Sequence, residues 1–399
     1  MQEVRVKLET VTPMFLGGAE ARGAPPELRP PSFRGAMRYW LRALLGGVYG
    51  NNLDKVSTIE GDVFGSASAD NGSASAINLR IIQSKFSEEA FTRSNTSQGE
   101  EPPGSDYLYW SMARSGNPDK NNYQPPKHAI KPGTQFELSL STRPGASKAL
   151  LFDYSLPSLW LAMNLGGIGA RSRRTAGSFS PANPLTSNNL DFHINTAPRA
   201  EIAIQIGKAI QTMRAKLGIS QEKIQIDPPS EFDILHPNVC QIWVLGVWDN
   251  PNSAINVLGK RMRDFRNRRE PDHRNVAKWL DENQPPQTIE RSVFGLPIPY
   301  RYTPRNGEQA LSGTIQGRLQ NPMIDRRSSP LWLTVNKLHP KGYVGIATLF
   351  HSRFLPENEK LHAKKRRANL HAVEPPADYT LIQEWIAEQF PTVEAVNYD

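Results

Sequence analysis

The chain has 399 residues, enough for two domains of ordinary size or three small ones. Lysine and arginine number 47 against 39 aspartate and glutamate, and this net charge of +8 favours a nucleic acid as partner over a membrane surface; the alternative is a soluble protein with a basic surface and no polyanionic partner. A single cysteine, Cys240, excludes a disulfide framework and a cysteine-rich zinc site. With no apolar run long enough to cross a membrane and no signal-like N-terminus, the sequence predicts a soluble cytoplasmic protein without a metal or other cofactor.

The opening of the chain predicts a strand, a loop and a helix. Residues 2–11 alternate apolar and charged side chains, as a half-buried strand does. Prolines and glycines over 12–31 indicate a loop. Ser32 is the expected N-cap of the helix that follows, and Gly46-Gly47 are expected to end it.

This helix carries a basic ridge. Arg34, Arg38 and Arg42 recur every four residues and therefore lie along one side, next to an apolar arc that includes Trp40. Because the helix contains no acidic partner for them, the ridge favours contact with RNA, DNA or an acidic protein. The alternative is an ordinary solvated helix face.

The middle of the first half is less regular. Strands are expected at 77–81 and 135–140, and a short helix at 156–165. Between the two strands, residues 87–127 are rich in Ser, Asn, Gly, Pro and acidic residues, which predicts a long exposed insertion. Its aromatic residues Tyr107, Tyr109 and Trp110, together with Tyr39 and Trp40, are candidates for stacking on bases. For Trp40, a place in the core is an equal alternative.

The stretch GGIGARSRRTAGSF, residues 166–179, is the most unusual in the chain. It combines glycines, which permit close approach of another molecule, with arginines, whose planar fork fits phosphate oxygens. The glycines are Gly166, Gly167, Gly169 and Gly177, and the arginines are Arg171, Arg173 and Arg174. The loop therefore suits a polyanion, or else it is a tight turn between a helix and a strand. The lysine of a nucleotide-binding P-loop is missing.

The second half repeats this order of features. After a helix over 197–217, CQIWVLGVW predicts a buried strand, and Ser253 is the expected cap of another helix. Cations crowd that helix beside its apolar stripe, among them Lys260, Arg261 and Arg263.

Two short echoes support a tandem duplication. Val293-Phe294-Gly295 repeats Val63-Phe64-Gly65, and the pair Arg326-Arg327 repeats the paired arginines of the glycine-rich loop.

Six motifs in this order resemble the RAMP superfamily, and within it the first subunit of type III-B (Cmr) CRISPR effector complexes. They are TPMFLGGA, ELRPPSFRGAMRYWLRAL, DVFG, GGIGARSRRTAGSF, SVFGLP and RRSSPLWL. The resemblance implies an α+β fold of two tandem ferredoxin-like domains, related to the RNA-recognition motif, with long loop insertions. We expect the first domain over 1–196 and the second, with a linker helix and a C-terminal helix, over 197–399.

The resemblance also implies a function. It is that of a non-catalytic subunit that binds the 3′ part of the CRISPR RNA and the guide–target duplex, beside the backbone RAMP subunit and the small-subunit filament. The resemblance implies that an aspartate of the backbone subunit, and not this chain, cleaves the target RNA in such complexes. The expected RNA contacts are the cations named above: Arg34, Arg38, Arg42, Arg171, Arg173, Arg174, Lys260, Arg261, Arg263, Arg326 and Arg327.

Two other classes of function stay open at this point. Some RAMP proteins cleave RNA without a metal by means of histidine, and His351 next to Arg353, or His273 beside Arg274, is a candidate general base. A pure protein scaffold, in which the arginines pair with acidic neighbours, is the other alternative.

Overall fold

The structure is a computed structural model that describes residues 1–18, 20, 22–67, 72–82, 86–97, 100–218, 224–267, 269–302, 311–317, 326–365 and 370–399. Its helices are α1 (Pro30–Tyr49), α2 (Leu53–Phe64), α3 (Gly104–Leu108), α4 (Leu156–Asn164), α5 (Arg199–Lys216), α6 (Pro251–Arg266), α7 (Asp272–Glu282) and α8 (Thr380–Gln389).

Its strands are β1 (Glu3–Thr10), β2 (Ile77–Ile82), β3 (Glu88–Ala90), β4 (His128–Ile130), β5 (Gln135–Thr142), β6 (Phe179–Pro181), β7 (Thr186–Ser187), β8 (Leu190–Asp191), β9 (Ile194–Asn195), β10 (Cys240–Trp248), β11 (Ile298–Tyr302), β12 (Leu311–Gly317), β13 (Leu331–His339), β14 (Tyr343–Phe350), β15 (Leu361–Lys365), β16 (Leu370–Val373) and β17 (Glu394–Ala395).

The chain forms two compact units. The first consists of Met1–Lys260, Trp332–Phe350 and Thr392–Asp399, and the second of Arg261–Leu331 and His351–Pro391. A four-stranded sheet, β2-β5-β1-β6, and a five-stranded sheet, β17-β10-β14-β13-β9, belong to the first unit. The second unit contains the four-stranded sheet β11-β12-β15-β16.

Both sheets of the first unit have the strand order of a ferredoxin-like fold. In the first, β1, α1, β2, β5, α4 and β6 follow the order strand-helix-strand-strand-helix-strand, and the last strand lies beside the first. In the second, β10, α6, β13, β14, α8 and β17 follow the same order and give the same arrangement of strands. This repetition confirms the expected α+β class with two ferredoxin-like topologies.

The division at residue 196 stays a prediction. All strands of the first sheet come from before this position. However, β9 precedes it too and pairs in parallel with β13 of the second sheet, where Leu338 lies opposite Ile194.

The core of the first sheet follows from the alternation of β1. Val6 and Leu8 are buried and lie opposite Leu138 and Phe136 of β5. Phe33 of α1 meets Phe136 edge-on at 5.5 Å and also contacts Phe179 of β6 at 5.7 Å. Such ring pairs contribute about 0.5–1.5 kcal/mol beyond burial of their area. The apolar arc of α1 therefore packs across the width of the sheet.

The expected cap of α1 is wrong. The helix begins at Pro30, so Ser32 lies inside its first turn, and the N-cap position is Arg29, whose side chain makes no capping bond. The two prolines are tolerated because the first N–H groups of a helix lack intrahelical acceptors in any case. Ser253 is likewise not a cap, because α6 begins two residues earlier and the Ser253 amide donates to Asn250 Oδ1 at 2.8 Å.

The expected end of α1 is wrong as well. The helix continues through Gly46 and Gly47 to Tyr49, and both glycines are buried. A Cβ on Gly47 would lie 2.2 Å from the carbonyl oxygen of Leu235, whose own amide donates to Ala43 at 2.9 Å. The glycines thus let a distant loop pack against the helix backbone, a contact that helix propensity cannot reveal.

The insertion over 87–127 is only partly exposed. Strands β3 and β4 pair, and α3 follows from Gly104. Leu108, Tyr109 and Met112 are buried. The expectation of an exposed segment is therefore wrong for this central part, where apolar side chains are hidden among polar neighbours in the sequence.

We predict opposite effects of alanine at two glycines of α1. Gly47→Ala should lower the free energy of unfolding by about 1–3 kcal/mol, because the added methyl group collides with the Leu235 carbonyl. Gly35→Ala should raise it by about 0.5–1 kcal/mol, since a Cβ there meets no atom within 4 Å and alanine favours helix. Urea unfolding followed by far-UV circular dichroism measures both. Equal effects at the two positions would contradict the packing argument.

Candidate nucleic-acid interface

The glycine–arginine loop, residues 166–179, connects α4 to β6 and turns sharply twice. Arg171 and Thr175 have φ of 64° and 68°, in the left-handed region, and flank one turn of 3-10 helix over Ser172–Arg174. Non-glycine residues rarely adopt such angles, so surrounding contacts must hold them.

The glycines of the loop are packed against this chain itself. A Cβ on Gly177 would lie 1.8 Å from the Ile168 carbonyl oxygen, and one on Gly169 would lie 2.5 Å from that of Phe15. For Gly166 the obstacle is the Trp40 indole nitrogen, at 2.3 Å. For Gly167 it is the carbonyl oxygen of Ala176, at 3.0 Å. The lack of side chains at these glycines thus allows the loop to close. Close approach of a polyanion to the glycines stays a prediction.

Two segments distant in sequence hold the loop by hydrogen bonds. Thr12 Oγ1 donates to the Thr175 carbonyl at 2.5 Å, and the Thr175 amide donates to the carbonyl of Leu333 in β13 at 2.9 Å. Thr334 Oγ1 donates to the Gly166 carbonyl at 3.0 Å. Hydrogen bonds therefore tie the loop to the segment that follows β1 and to β13.

The insertion contacts the same loop. The hydroxyl groups of Tyr109 and Thr175 are 2.7 Å apart, and Arg171 Nε donates to the Leu108 carbonyl at 2.7 Å. Burial raises the pKa of the Tyr109 hydroxyl, so this group stays protonated and able to donate. The insertion is thus joined to the loop by two hydrogen bonds from its central turn.

Arg173 lies among aromatic rings instead of in solvent. Its guanidinium is 4.6 Å from the Trp332 ring and 5.3 Å from the Tyr39 ring, and Nη2 is 3.4 Å from Asp233 Oδ2. The Tyr39 hydroxyl donates to the same carboxylate oxygen at 2.6 Å, and the Trp332 indole donates to this hydroxyl at 3.0 Å. Burial and the nearby Asp233 charge raise the pKa of Tyr39 well above its usual value.

The neighbours of Arg173 are hidden too. Arg174 is 7% exposed, and its Nη1 donates to the Arg173 carbonyl at 2.9 Å. Trp40 is fully buried, so of its two expected roles the structure supports the one in the core and not stacking on bases. The loop arginines thus have a structural role, and any contact they make with RNA is additional.

The basic ridge of α1 has an acidic partner on the next helix. Glu60 of α2, whose side chain is 7% exposed, accepts from Arg38 at 2.5 Å and from Arg42 at 3.0 Å. Arg34 differs, because it forms no ion pair with any residue that the structure describes and its shielded Nε has no hydrogen-bond partner there. The sequence of α1 alone does not reveal Glu60, because this residue lies on the next helix.

Cations of α6 also have contacts within the protein. Lys260 pairs with Glu101 of the insertion at 2.7 Å, and both side chains are more than half exposed. In the second unit, Arg263 pairs with Asp264 at 2.9 Å, and Arg261 lies 4.6 Å from the Phe390 ring.

The echoed arginine pair has two different environments within the second unit. Arg326 is exposed, whereas Arg327 Nε donates to the Phe354 carbonyl at 2.8 Å and its Nη2 to the Arg353 carbonyl at 3.1 Å. The Leu296 amide donates to the Arg327 carbonyl at 2.8 Å. Arg327 therefore resembles Arg173 in holding its own segment.

The two candidate histidines have different surroundings. Burial lowers the pKa of His351, whose ring meets Tyr379 edge-on at 5.7 Å. His273 Nδ1 is 3.7 Å from Glu270 Oε1 on the protein surface. No cluster of His, Cys, Asp and Glu fit for a metal occurs in the described part of the chain. Its helices are each too short or too polar to cross a bilayer.

Comparisons with known proteins agree with this architecture. The family model of the RAMP superfamily matches residues 7–180. The subunit Cmr1-2 of the Pyrococcus furiosus Cmr system is 32% identical over 186 residues, which cover 45% of this chain and 94% of that protein. The Cmr1-1 subunit of the same organism is 24% identical over 339 residues, 84% of each chain.

Solved structures share the fold. The crystal structure of apo Cmr1 from Pyrococcus furiosus matches with a TM-score of 0.59 and 20% identity, over all of this chain and 99% of the other. A chain of a type III-B Cmr-beta complex, bound to cognate target RNA and AMPPnP in the presence of single-stranded DNA, matches with a TM-score of 0.53 and 12% identity. The match covers 97% of this chain and 98% of the other.

Two ferredoxin-like topologies with a glycine–arginine loop at the end of the first define a tandem RAMP protein. Within the RAMP superfamily, the chain belongs to the family of the Cmr1 subunits of type III-B CRISPR systems.

We predict that Glu60→Gln lowers the free energy of unfolding by about 1.5–3 kcal/mol, because charge-assisted hydrogen bonds to two arginines are weakened at a buried position. Glu89→Gln is the matched control in the same unit, since its pair with Lys131 is about half exposed and 3.7 Å long, and it should cost less than about 1 kcal/mol. Chemical unfolding compares the two. Similar losses would show that the Glu60 pairs do not stabilise the helix pair.

Proposed function

We propose that this chain is a non-catalytic RNA-binding subunit of a type III-B CRISPR ribonucleoprotein effector complex that acts in antiviral defence. It binds the 3′ part of the CRISPR RNA and the duplex of guide and target RNA. Its protein partners are other Cmr subunits, namely the backbone RAMP subunit and the small-subunit filament.

The observation that carries the proposal is membership of the Cmr1 family together with the fold shared with a chain of a Cmr-beta complex bound to cognate target RNA. The net charge of +8 agrees with a polyanionic partner. Neither observation favours the endoribonuclease alternative, and the surroundings of His351 and His273 do not support it.

The physical mechanism is binding without reading of sequence. Guide sequences vary, so the protein contacts phosphates and 2′-hydroxyl groups while base pairing supplies specificity. Arginines that already hold backbone carbonyls keep further N–H donors, because a guanidinium has five. Arg34 is the best candidate on α1, since its charge is not balanced by an acidic side chain in the described residues.

We predict that Arg34→Ala weakens RNA binding to a similar degree for unrelated sequences. It should lower the slope of log affinity against log salt by about 0.7–0.9, as expected for one lost phosphate contact. Fluorescence anisotropy with labelled RNAs at several salt concentrations measures this. Arg5→Ala removes the same charge from a side chain paired with Glu3 and is the control. An unchanged slope for Arg34→Ala would exclude this residue from the RNA path.

We also predict that the purified chain leaves RNA intact in the presence of a divalent metal. Denaturing gel electrophoresis of end-labelled RNA over extended incubation measures cleavage. Clean cleavage that is abolished by His351→Ala or His273→Ala, but not by substitution of another histidine such as the part-buried His193, would establish the endoribonuclease instead.

A further inference from the structure

Trp110 is an exposed aromatic residue on a well-held turn. It begins one turn of 3-10 helix, Trp110–Met112, directly after the buried Tyr109. Its side chain is 44% exposed, whereas Trp40 and Trp160 are nearly or fully buried. Tryptophan carries the largest apolar surface of any side chain, so leaving an indole in water forgoes a large stabilisation.

Two arginines hold the turn in which Trp110 lies. Arg22 donates to the Ser111 carbonyl at 2.5 Å and to the Pro125 carbonyl at 2.9 Å. Arg93 Nη2 donates to the carbonyl of Trp110 itself at 3.3 Å. The indole is therefore presented from a backbone that is fixed on both sides, which lowers the entropy cost of binding to it.

Arginine side chains lie at the turn and directly after it in the sequence. Arg22 and Arg93 contact its carbonyls, and Arg114 follows in an exposed position. Burial lowers the pKa of the Lys127 amine, and the nearby positive charge of Arg22 lowers it further. The acidic Asp106 is buried and accepts a backbone N–H at 2.9 Å. An exposed indole among cations is the combination that binds single-stranded nucleic acids.

The turn is also tied to the glycine–arginine loop. Leu108, two residues before the indole, accepts from Arg171, and Tyr109 contacts Thr175 through its hydroxyl group. Trp110 is thus attached to the loop by the two residues that precede it.

We propose that Trp110 is a stacking site for an unpaired RNA base, with the phosphate of that nucleotide held by the neighbouring arginines. The proposal rests on the proposed RNA-binding function and extends it to a site in the insertion. Stacking does not depend on the identity of the base, so this site tolerates any guide or target sequence. When a base stacks on the indole, the facing surfaces of both rings leave water. The exposed side chain thereby gains an apolar contact.

The test compares Trp110→Ala and Trp110→Phe in the full chain with a fluorescein-labelled single-stranded RNA of mixed sequence. We expect the alanine variant to weaken binding about tenfold, and the phenylalanine variant to stay within about threefold of wild type because it keeps an aromatic face. The salt slope should stay the same in both, since no charge is removed. Leu53→Ala removes another exposed apolar side chain, 54% exposed, and should bind as wild type does.

The outcomes separate this inference from the proposed function. Absence of RNA binding by wild type, alone and within the assembled complex, would overturn both. Normal wild-type binding with unchanged affinity of Trp110→Ala would overturn the stacking site alone. Loss of co-purifying Cmr subunits from Trp110→Ala at unchanged RNA affinity would assign the indole to a protein contact, which also contradicts the inference. Unchanged thermal unfolding of the variants excludes misfolding as the cause of a weaker affinity.

Discussion

The close approach between backbones in the glycine–arginine loop is the constraint on which the first unit depends. Gly177 passes so near Ile168 that no side chain fits, and this lets the loop return into β6. The neighbouring Ser178 and Ser180 hydroxyl groups then accept from amides of β13 at 3.4 and 3.3 Å. The two ferredoxin-like sheets of the first unit therefore meet along the strand that this loop delivers.

Arginine has two roles in this molecule, and its geometry explains why they coexist. A guanidinium can satisfy carbonyl groups or stack on rings with one face and keep donors on another. Arg173 and Arg327 hold loops, whereas Arg34 lacks an acidic partner in the described residues. The charge of a basic loop is thus a poor guide to which of its side chains reaches RNA. Burial and acidic neighbours such as Asp233 distinguish the arginines that hold a loop from those without such contacts.

The insertion is less exposed than its composition predicts. Its polar composition indicates an exposed segment, yet Tyr109 is buried against the loop. The segment is therefore a structural support of the loop that also presents an indole.

The sequence by itself determined the class of the protein, its two repeated topologies, the four strands β1, β2, β5 and β10, and the long helices α1, α5 and α6. Alternation and 3.6-residue periodicity are local properties, and β10 has the limits of the motif CQIWVLGVW. Only the tertiary structure decided the ends of α1 and the partners of its arginines. Leu235, which requires Gly47, is far along the chain, and Glu60 lies on another helix. Such pairs depend on how distant segments pack, and no local pattern records that.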